Sequence, residues 1–393
     1  MADVQSNIWK LYVLKISRWF MMFMPVFMLF YNDLGLELRQ ITLLQSTYYL
    51  TIAVFEIPSG YLSDVYGRRN TLLLGTIATA IGFGMYAFES SFTWFMVAEI
   101  LLGVGMSFVS GTDSALLFET LKAGGKESQY IHHEGRVVAI GNFAEGMAGI
   151  LGGLLAGWSL RYPYIGQCVI SLLAVPVAAS LKEIPSHINR KSQPVGAILK
   201  YLRYEAKDLT GMILFSSVLG AATLLMAKIF LQPTFRELNM PVFWFGVAWT
   251  ALQFLVGISA YFSSRADRRF GRRNMVWTMW LLIAAGFWLV AAVPGYAVLC
   301  VLALFYLVRG LATPLLRSYI NLLTPDHMRA TILSIRSFVI RCMAAVVSPL
   351  LGWMADVYTL RYALILAGIM FLLMGGITLL MLIRLRAFDR LTS

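Results

Sequence analysis

The chain has 393 residues, of which 59% are hydrophobic and only 13% charged, with a mean hydropathy of +0.72 and a formal net charge of +12. A water-soluble globular protein carries about a quarter charged residues, so this composition excludes an ordinary soluble fold and predicts burial in lipid. The basic residues fall mostly in short segments between apolar stretches, which is typical of membrane topology and argues against nucleic-acid binding.

Twelve apolar stretches follow one another along the chain, and a bilayer crossing takes about 20 such residues. The sequence therefore predicts an all-α integral membrane protein with twelve transmembrane helices. The predicted spans are 10–32, 40–63, 71–88, 93–119, 136–159, 161–182, 209–236, 241–264, 274–293, 296–323, 331–355 and 360–385.

The connections between spans are short except for 183–208, which contains Pro185 and Pro194 before an amphipathic run. We predict an N-terminal six-helix bundle at 1–182, a cytoplasmic linker at 183–208 with a helix on the membrane surface, and a C-terminal six-helix bundle at 209–393. Lys and Arg are concentrated on the side that holds the N-terminus, so the positive-inside rule places both termini in the cytoplasm.

A basic turn occurs in both predicted halves. At 60–69 it reads Gly-Tyr-Leu-Ser-Asp-Val-Tyr-Gly-Arg-Arg, and at 264–273 it reads Ser-Arg-Ala-Asp-Arg-Arg-Phe-Gly-Arg-Arg. The first copy resembles the G-x-x-x-D-x-x-G-R-R signature between the second and third transmembrane helices of the major facilitator superfamily. The resemblance covers essentially the whole chain and implies that superfamily's fold, two pseudo-symmetric six-helix bundles, with secondary transport by alternating access.

In that superfamily the signature loop latches the two halves in the outward-facing state. The resemblance implies this role for Gly60, Asp64, Gly67, Arg68, Arg69, Asp267, Gly271, Arg272 and Arg273. We expect Asp64 to pair with Arg68 or Arg69 or to cap a neighbouring helix, and Gly60 and Gly67 to permit close packing and a sharp turn. The alternative is that the arginines are only positive-inside anchors. The second copy departs from the pattern, because it lacks the first Gly and has one extra residue after its Asp.

Ionisable residues inside membrane spans are costly, so they indicate function. The candidates for proton coupling are Glu56, Glu99, Asp113 and Glu145. Glu99 and Asp113 fall on nearly the same face of span four, and we expect that face to line a cavity. The alternative for each acid is a buried structural ion pair. Lys15 and Arg18 enter span one early, and we expect them to reach the cytoplasmic interface.

The second half carries buried charges of the opposite sign. The substrate-binding candidates are Arg309, Arg341, Lys228, Trp19, Phe143 and Tyr306. Arg309 and Arg341 have no counterpart in the first half, which suits the binding of an anionic substrate group or a switchable pair with a buried acid. The alternative for the aromatics is packing or an interfacial belt. Arg136 and Arg336 occupy matching places in the two halves, and we interpret them as structural.

These features together predict a proton-coupled secondary transporter of a small organic molecule in the cytoplasmic (inner) membrane. Efflux of amphipathic, drug-like compounds is the first hypothesis, on the family resemblance. Proton-coupled uptake of an organic anion or a metal chelator is the alternative, suggested by the arginines. A non-transporting membrane receptor on the same fold is an alternative of another class. The sequence has no nucleophile–base grouping and no P-loop, so neither an enzyme nor direct use of ATP is expected.

No cofactor and no metal site are expected. Cys168, Cys300 and Cys342 lack metal-ligand spacing, and His132 and His133 form only a pair. The expected partners are the small-molecule substrate, protons and the lipid bilayer, with no nucleic acid, and the expected state is a monomer.

Overall fold

The computed structural model describes residues 5–126, 129–184, 200–202, 204, 206–325 and 328–385. Within these ranges it leaves the side chains at 57, 64, 131, 132, 134, 135, 137–139, 142 and 330 undescribed. The predicted linker at 183–208 therefore lies mostly outside the described residues, as does the side chain of His132. The described residues contain helices and no strands, and the prediction of an all-α membrane fold is confirmed.

The chain divides into two compact units, Met1–Ile188 with Asn239–Thr250, and Asn189–Leu238 with Ala251–Ser393. The helices that lie wholly in the first unit are α1 (Asn7–Trp19), α2 (Phe27–Asp33), α3 (Leu38–Tyr66), α4 (Arg68–Phe88), α5 (Phe92–Val109), α6 (Thr112–Ala123), α7 (Tyr130–Ala156) and α8 (Tyr162–Ala179). The later helices are α9 (Lys207–Leu225), α10 (Leu231–Glu237), α11 (Val242–Phe270), α12 (Arg272–Ala292), α13 (Val298–Leu323), α14 (Arg329–Val357) and α15 (Leu360–Arg384).

Helices occur at all twelve predicted places, and three of the predicted spans are interrupted. Among the described residues, nine helical stretches are long and apolar enough to cross a membrane. The fifth predicted span corresponds to α7 (Tyr130–Ala156), which includes a shorter apolar stretch at Phe143–Ala156. Length and hydropathy thus locate the spans but not their interruptions.

Span one is split between α1 and α2 by a non-helical stretch at 20–26. The Met22 amide, which the break leaves without a helical acceptor, donates to Gln167 Oε1 on α8 at 3.3 Å. Gly152 on α7 lies directly against this stretch, since a Cβ atom at that position would overlap the Met22 carbonyl oxygen. The break is therefore accommodated by the Gln167 amide, which accepts the free N–H group, and by Gly152, which has no side chain to collide with the backbone.

Span four is split between α5 and α6. Ser110 ends α5 with an extended backbone (ψ 121°), and Gly111 follows with φ +82°, a left-handed conformation that side chains disfavour. Span seven is interrupted differently, by a π-helical segment at Met226–Phe230 between α9 and α10. π-helical segments are rare and are frequently found at functional sites.

Helices pack closely through small residues in both units. In the first unit, Gly149 and Gly153 on α7 lie against Gly246 at the start of α11. In the second unit, the Trp288 and Trp280 indole N–H groups on α12 donate to backbone carbonyls of α15 at 3.2 Å each, over glycines that leave room for the rings. Small residues are common where membrane helices approach each other.

Candidate functional site

The first signature loop is a one-residue junction, in which Gly67 alone connects α3 to α4. Gly67 has φ +91°, and Gly271 in the second copy has φ +78° between α11 and α12. The sharp turn predicted for these glycines is present in both copies. The close packing predicted at Gly60 is not present among the described residues, because no described atom lies within 4 Å of the position that a Cβ atom would occupy there.

The side chain of Arg68 bonds to residues of α3 and α6. Its Nε lies 3.0 Å from Glu119 Oε1, and its Nη1 donates to Ser63 Oγ at 3.0 Å. Glu119 is buried, with a side chain that is 7% exposed. This ion pair ties the signature loop to the end of span four, and Glu119 was not identified from the sequence.

Glu183 holds the same loop from the end of span six. Its two carboxylate oxygens accept hydrogen bonds from the backbone amides of Arg68 and Arg69, each at 2.8 Å. The Arg69 guanidinium donates to the Ala179 carbonyl through Nε at 3.1 Å and Nη2 at 2.8 Å. Glu183 thus caps the N-terminus of α4, where free amides and the helix dipole favour a negative charge. This role was not predicted from the sequence, although Glu183 is the first acid after predicted span six.

Asp64 lies in α3, but its side chain is outside the described residues, so its proposed pairing with Arg68 or Arg69 stays a prediction. An acid–base pair of this kind is present in the second copy. Asp267 Oδ2 lies 3.8 Å from Arg272 Nε, and Asp267 Oδ1 accepts a hydrogen bond from the Tyr319 hydroxyl on α13. Tyr319 was not identified from the sequence.

Glu99 lies at the centre of a buried polar cluster in the first unit. Its Oε1 accepts from the Tyr86 hydroxyl at 2.7 Å, the Tyr31 hydroxyl at 3.2 Å and Gln45 Nε2 at 3.3 Å. The two tyrosine hydroxyls also lie 2.7 Å apart, and the Tyr164 ring stacks on Tyr86 with centroids 5.1 Å apart. Glu99 is 4% exposed, so a carboxyl group sits in an apolar interior with three donors converging on one oxygen.

The expectation that Glu99 and Asp113 share one cavity-lining face is wrong. The break at 110–111 places them on separate helices. The Glu99 face packs against α3, because a Cβ at Gly103 would come within 2.7 Å of Thr51 Cβ.

Asp113 instead forms a compact ion-pair group. Lys15 Nζ lies 2.9 Å and Arg18 Nη1 3.5 Å from Asp113 Oδ2, and Asp113 Oδ1 accepts from the Ser114 amide at 2.7 Å. Both cations thus bind one buried carboxylate, and the expectation that Lys15 and Arg18 reach the cytoplasmic interface stays a prediction. This geometry fits the ion-pair alternative for Asp113.

The remaining acid candidates, Glu56 on α3 and Glu145 on α7, are both half-buried in the first unit. Of the aromatic candidates in that unit, Trp19 packs its ring against Gly141 on α7, where a Cβ would lie 3.0 Å from the ring. Phe143 is exposed on α7.

Two of the candidates in the second unit lie together on α13. The Arg309 guanidinium carbon lies 5.4 Å from the centroid of the Tyr306 ring, a cation–π arrangement. Tyr306 is fully buried, and Arg309 Nη1 is a buried atom with no hydrogen-bond partner among the described residues. Lys228 lies on the π-helical segment and Arg341 on α14, both half-buried. No group of three or more His, Cys, Asp or Glu in the described ranges is placed to hold a metal ion.

Comparison with known families gives a match over much of the chain. The family model described as Major Facilitator Superfamily matches residues 16–264, more than half of the chain. Among curated relatives, an uncharacterized MFS-type transporter of Methanocaldococcus jannaschii is 24% identical over 186 residues, which is 46% of each chain. The riboflavin transporter RfnT of Brucella anthropi is 24% identical over 269 residues, 62% of each chain. The chain thus spans about half to three fifths of the length of these two relatives.

Solved structures with a similar fold include two transporters. The nucleoside transporter NupG superimposes with a TM-score of 0.76 at 13% identity, covering 97% of this chain and 98% of that one. A D-xylose–proton symporter superimposes with a TM-score of 0.72 at 14% identity, covering 96% of both chains. At such low identity the likeness establishes the fold alone.

Proposed function

The chain belongs to the Major Facilitator Superfamily, and we propose that it is a proton-coupled secondary transporter of a small organic molecule. It is a multi-pass membrane protein and a transporter, not an enzyme. The finer proposal places it in the cytoplasmic membrane with both termini in the cytoplasm, as a monomer built from a 1–182 bundle and a 209–393 bundle. Asp64 and its signature loops act as the conformational latch.

The main support for proton coupling is that Glu99 is buried among Tyr31, Tyr86 and Gln45. A carboxylate that receives three donors on one oxygen can hold a proton on the other. Opening of the first unit would expose the Glu99 carboxyl to water and allow it to exchange its proton. Its burial and its hydrogen-bond donors, which both affect how readily the carboxyl ionises, would change in the same movement. Among the four acid candidates, Glu99 fits this role best, because Asp113 is already held by two cations.

Export of an amphipathic compound is the direction we propose first, on the family resemblance. Uptake of an organic anion is the second candidate, and the buried Nη1 of Arg309 beside the Tyr306 ring favours it. A guanidinium over an aromatic ring suits a planar aromatic anion, which can accept hydrogen bonds and stack. Three probes therefore cover the hypotheses: ethidium as an amphipathic cation, fluorescein as an aromatic anion, and riboflavin because a relative transports it.

The coupling proposal is tested in proteoliposomes with an imposed pH gradient. We expect Glu99→Gln to lose gradient-driven movement of the transported probe, down to the level of protein-free liposomes, because the amide cannot carry the proton. Counterflow without a gradient should persist, since it exchanges substrate for substrate. Glu89→Gln, at the far end of α4, is the matched control and should behave as wild type. Gradient-driven transport by a well-folded Glu99→Gln protein would reject Glu99 as the coupling site.

The same liposomes decide direction and substrate class. Gradient-driven extrusion of ethidium supports export, and accumulation of fluorescein supports anion uptake. If the anion hypothesis holds, Arg309→Ala should lower fluorescein counterflow by about tenfold, the loss expected for one charge-assisted hydrogen bond. Equal fluorescein counterflow by wild type and Arg309→Ala would exclude Arg309 as an anion-binding group. If no probe moves while the protein still binds one, the receptor alternative is favoured.

A further inference from the structure

A second cationic centre lies in the second unit, where α9 and α14 pack together. Arg336 on α14 is only 6% exposed, although it carries a full charge. Its Nε donates to Ser216 Oγ at 2.5 Å, and the Ser217 hydroxyl donates to the Arg336 backbone carbonyl at 3.3 Å. Both serines are fully buried. The Ser216 hydroxyl orients this guanidinium, but a hydroxyl group cannot neutralise its charge.

The described helices that pack against α14 place no carboxylate beside Arg336. Helices α12, α13 and α15 contain no Asp or Glu at all. The carboxylate on α9, Asp208, lies eight positions before Ser216, or roughly 12 Å along the helix. On α14 itself the acid is Asp356, twenty positions after Arg336. Within the described residues, no carboxylate oxygen lies within 4.0 Å of Arg336.

A second arginine intensifies the excess of positive charge. Arg317 on α13 is exposed and lies at a similar depth, because it is six positions before the end of α13 and Arg336 is seven positions after the start of α14, which packs against α13. A buried cation without a partner is costly, and a second cation beside it raises that cost. An anion between the two guanidinium groups would remove both penalties, because each guanidinium presents several N–H donors in a planar fork.

We propose that Arg336, Arg317 and the Ser216 hydroxyl form a binding site for a phosphate-type oxyanion, separate from the Arg309 group. The site lies about seven residues, or roughly 10 Å, inside the end of the bundle at which α9 and α14 begin, the proposed cytoplasmic end. Two sources can supply this chemistry: the headgroup of an anionic lipid and a soluble phosphate. The exposed Arg317 gives the first contact, and Arg336 holds the oxyanion inside.

The test uses the full chain purified in detergent and in nanodiscs. Thermal unfolding is measured with inorganic phosphate in lipid-free detergent, and with phosphatidylglycerol against phosphatidylcholine in nanodiscs. Wild type should be stabilised in at least one of these arms. Arg317→Gln, an exposed change that leaves the interior intact, should raise the dissociation constant by about tenfold. Arg336→Lys keeps the charge and should also weaken binding, because the planar fork is lost.

Arg384→Gln, an exposed arginine at the corresponding end of α15, is the charge-matched control and should bind like wild type. Stabilisation by lipid alone identifies a headgroup site, and stabilisation by phosphate alone identifies a soluble ligand. Absence of stabilisation in both arms would overturn the proposal. Equal weakening by Arg317→Gln and Arg384→Gln would overturn it too, because the effect would then be general surface charge.

Discussion

The first signature loop is held by single residues that lie outside it. Glu119 pairs with the Arg68 side chain, and Glu183 receives two backbone amides at the start of α4. The two acids come from the ends of spans four and six, and the turn itself joins spans two and three, so four spans meet at one basic turn. A carboxylate at a helix N-terminus satisfies free amides and complements the helix dipole at once.

Replacing Glu183 should weaken the attachment of the first signature loop. Glu183→Gln removes the charge while keeping the shape, so the two hydrogen bonds to Arg68 and Arg69 amides lose their ionic component. We expect a loss of roughly 1 kcal/mol, the scale of a helix cap, seen as a lower unfolding temperature in detergent. Glu89→Gln, at the C-terminal end of α4, is the control, since a carboxylate there caps no free amide. An unchanged unfolding temperature in Glu183→Gln would show that the cap contributes nothing.

At the level of elements, the interruptions of spans one and seven occur at corresponding places. The signature loops start at 60 and 264, an offset of 204, and the same offset carries the break at 20–26 onto 224–230. The π-helical segment at Met226–Phe230 falls within that interval. The break in span four at Gly111 has no such counterpart, because α13 is continuous through Val298–Leu323. The two halves therefore share an interruption in their first span, whereas the break in span four occurs only in the first half.

The break in span one depends on Gly152. Gly152→Ala places a methyl group onto the Met22 carbonyl, so the non-helical stretch must move. We expect a loss of stability of about 1–3 kcal/mol, the usual cost of overpacking, measured as a lower unfolding temperature.

Gly257→Ala on α11 supplies the control, because no described atom lies within 4 Å of its Cβ position. This substitution should be neutral or stabilise the helix by up to about 1 kcal/mol through its higher helix propensity. If both alanine variants unfold at the wild-type temperature, the close contact at Gly152 carries no strain.

For the whole molecule, the sequence was sufficient for the family, the places of the spans and the turn glycines, because hydropathy and the duplicated signature are local patterns. The partners of the charged residues were not predictable in this way. Lys15 contacts an acid 98 positions away, and Arg68 contacts Glu119 across 51 positions. Such pairs depend on which helices become neighbours, and that information is absent from a single helix. The Glu99 cluster likewise needs residues from α2, α3, α4 and α5 to meet.

The matching irregularities of spans one and seven have a mechanical consequence. A regular helix resists bending because each turn is closed by backbone hydrogen bonds, and kinks form where this ladder is already interrupted. At 20–26 and at Met226–Phe230 the regular ladder is already lost before any movement begins. Each half thus carries, in its first span, a joint where a change of helix direction costs few additional hydrogen bonds. The two joints are placed at equal distances along the duplicated chain, so both halves can flex at the same point.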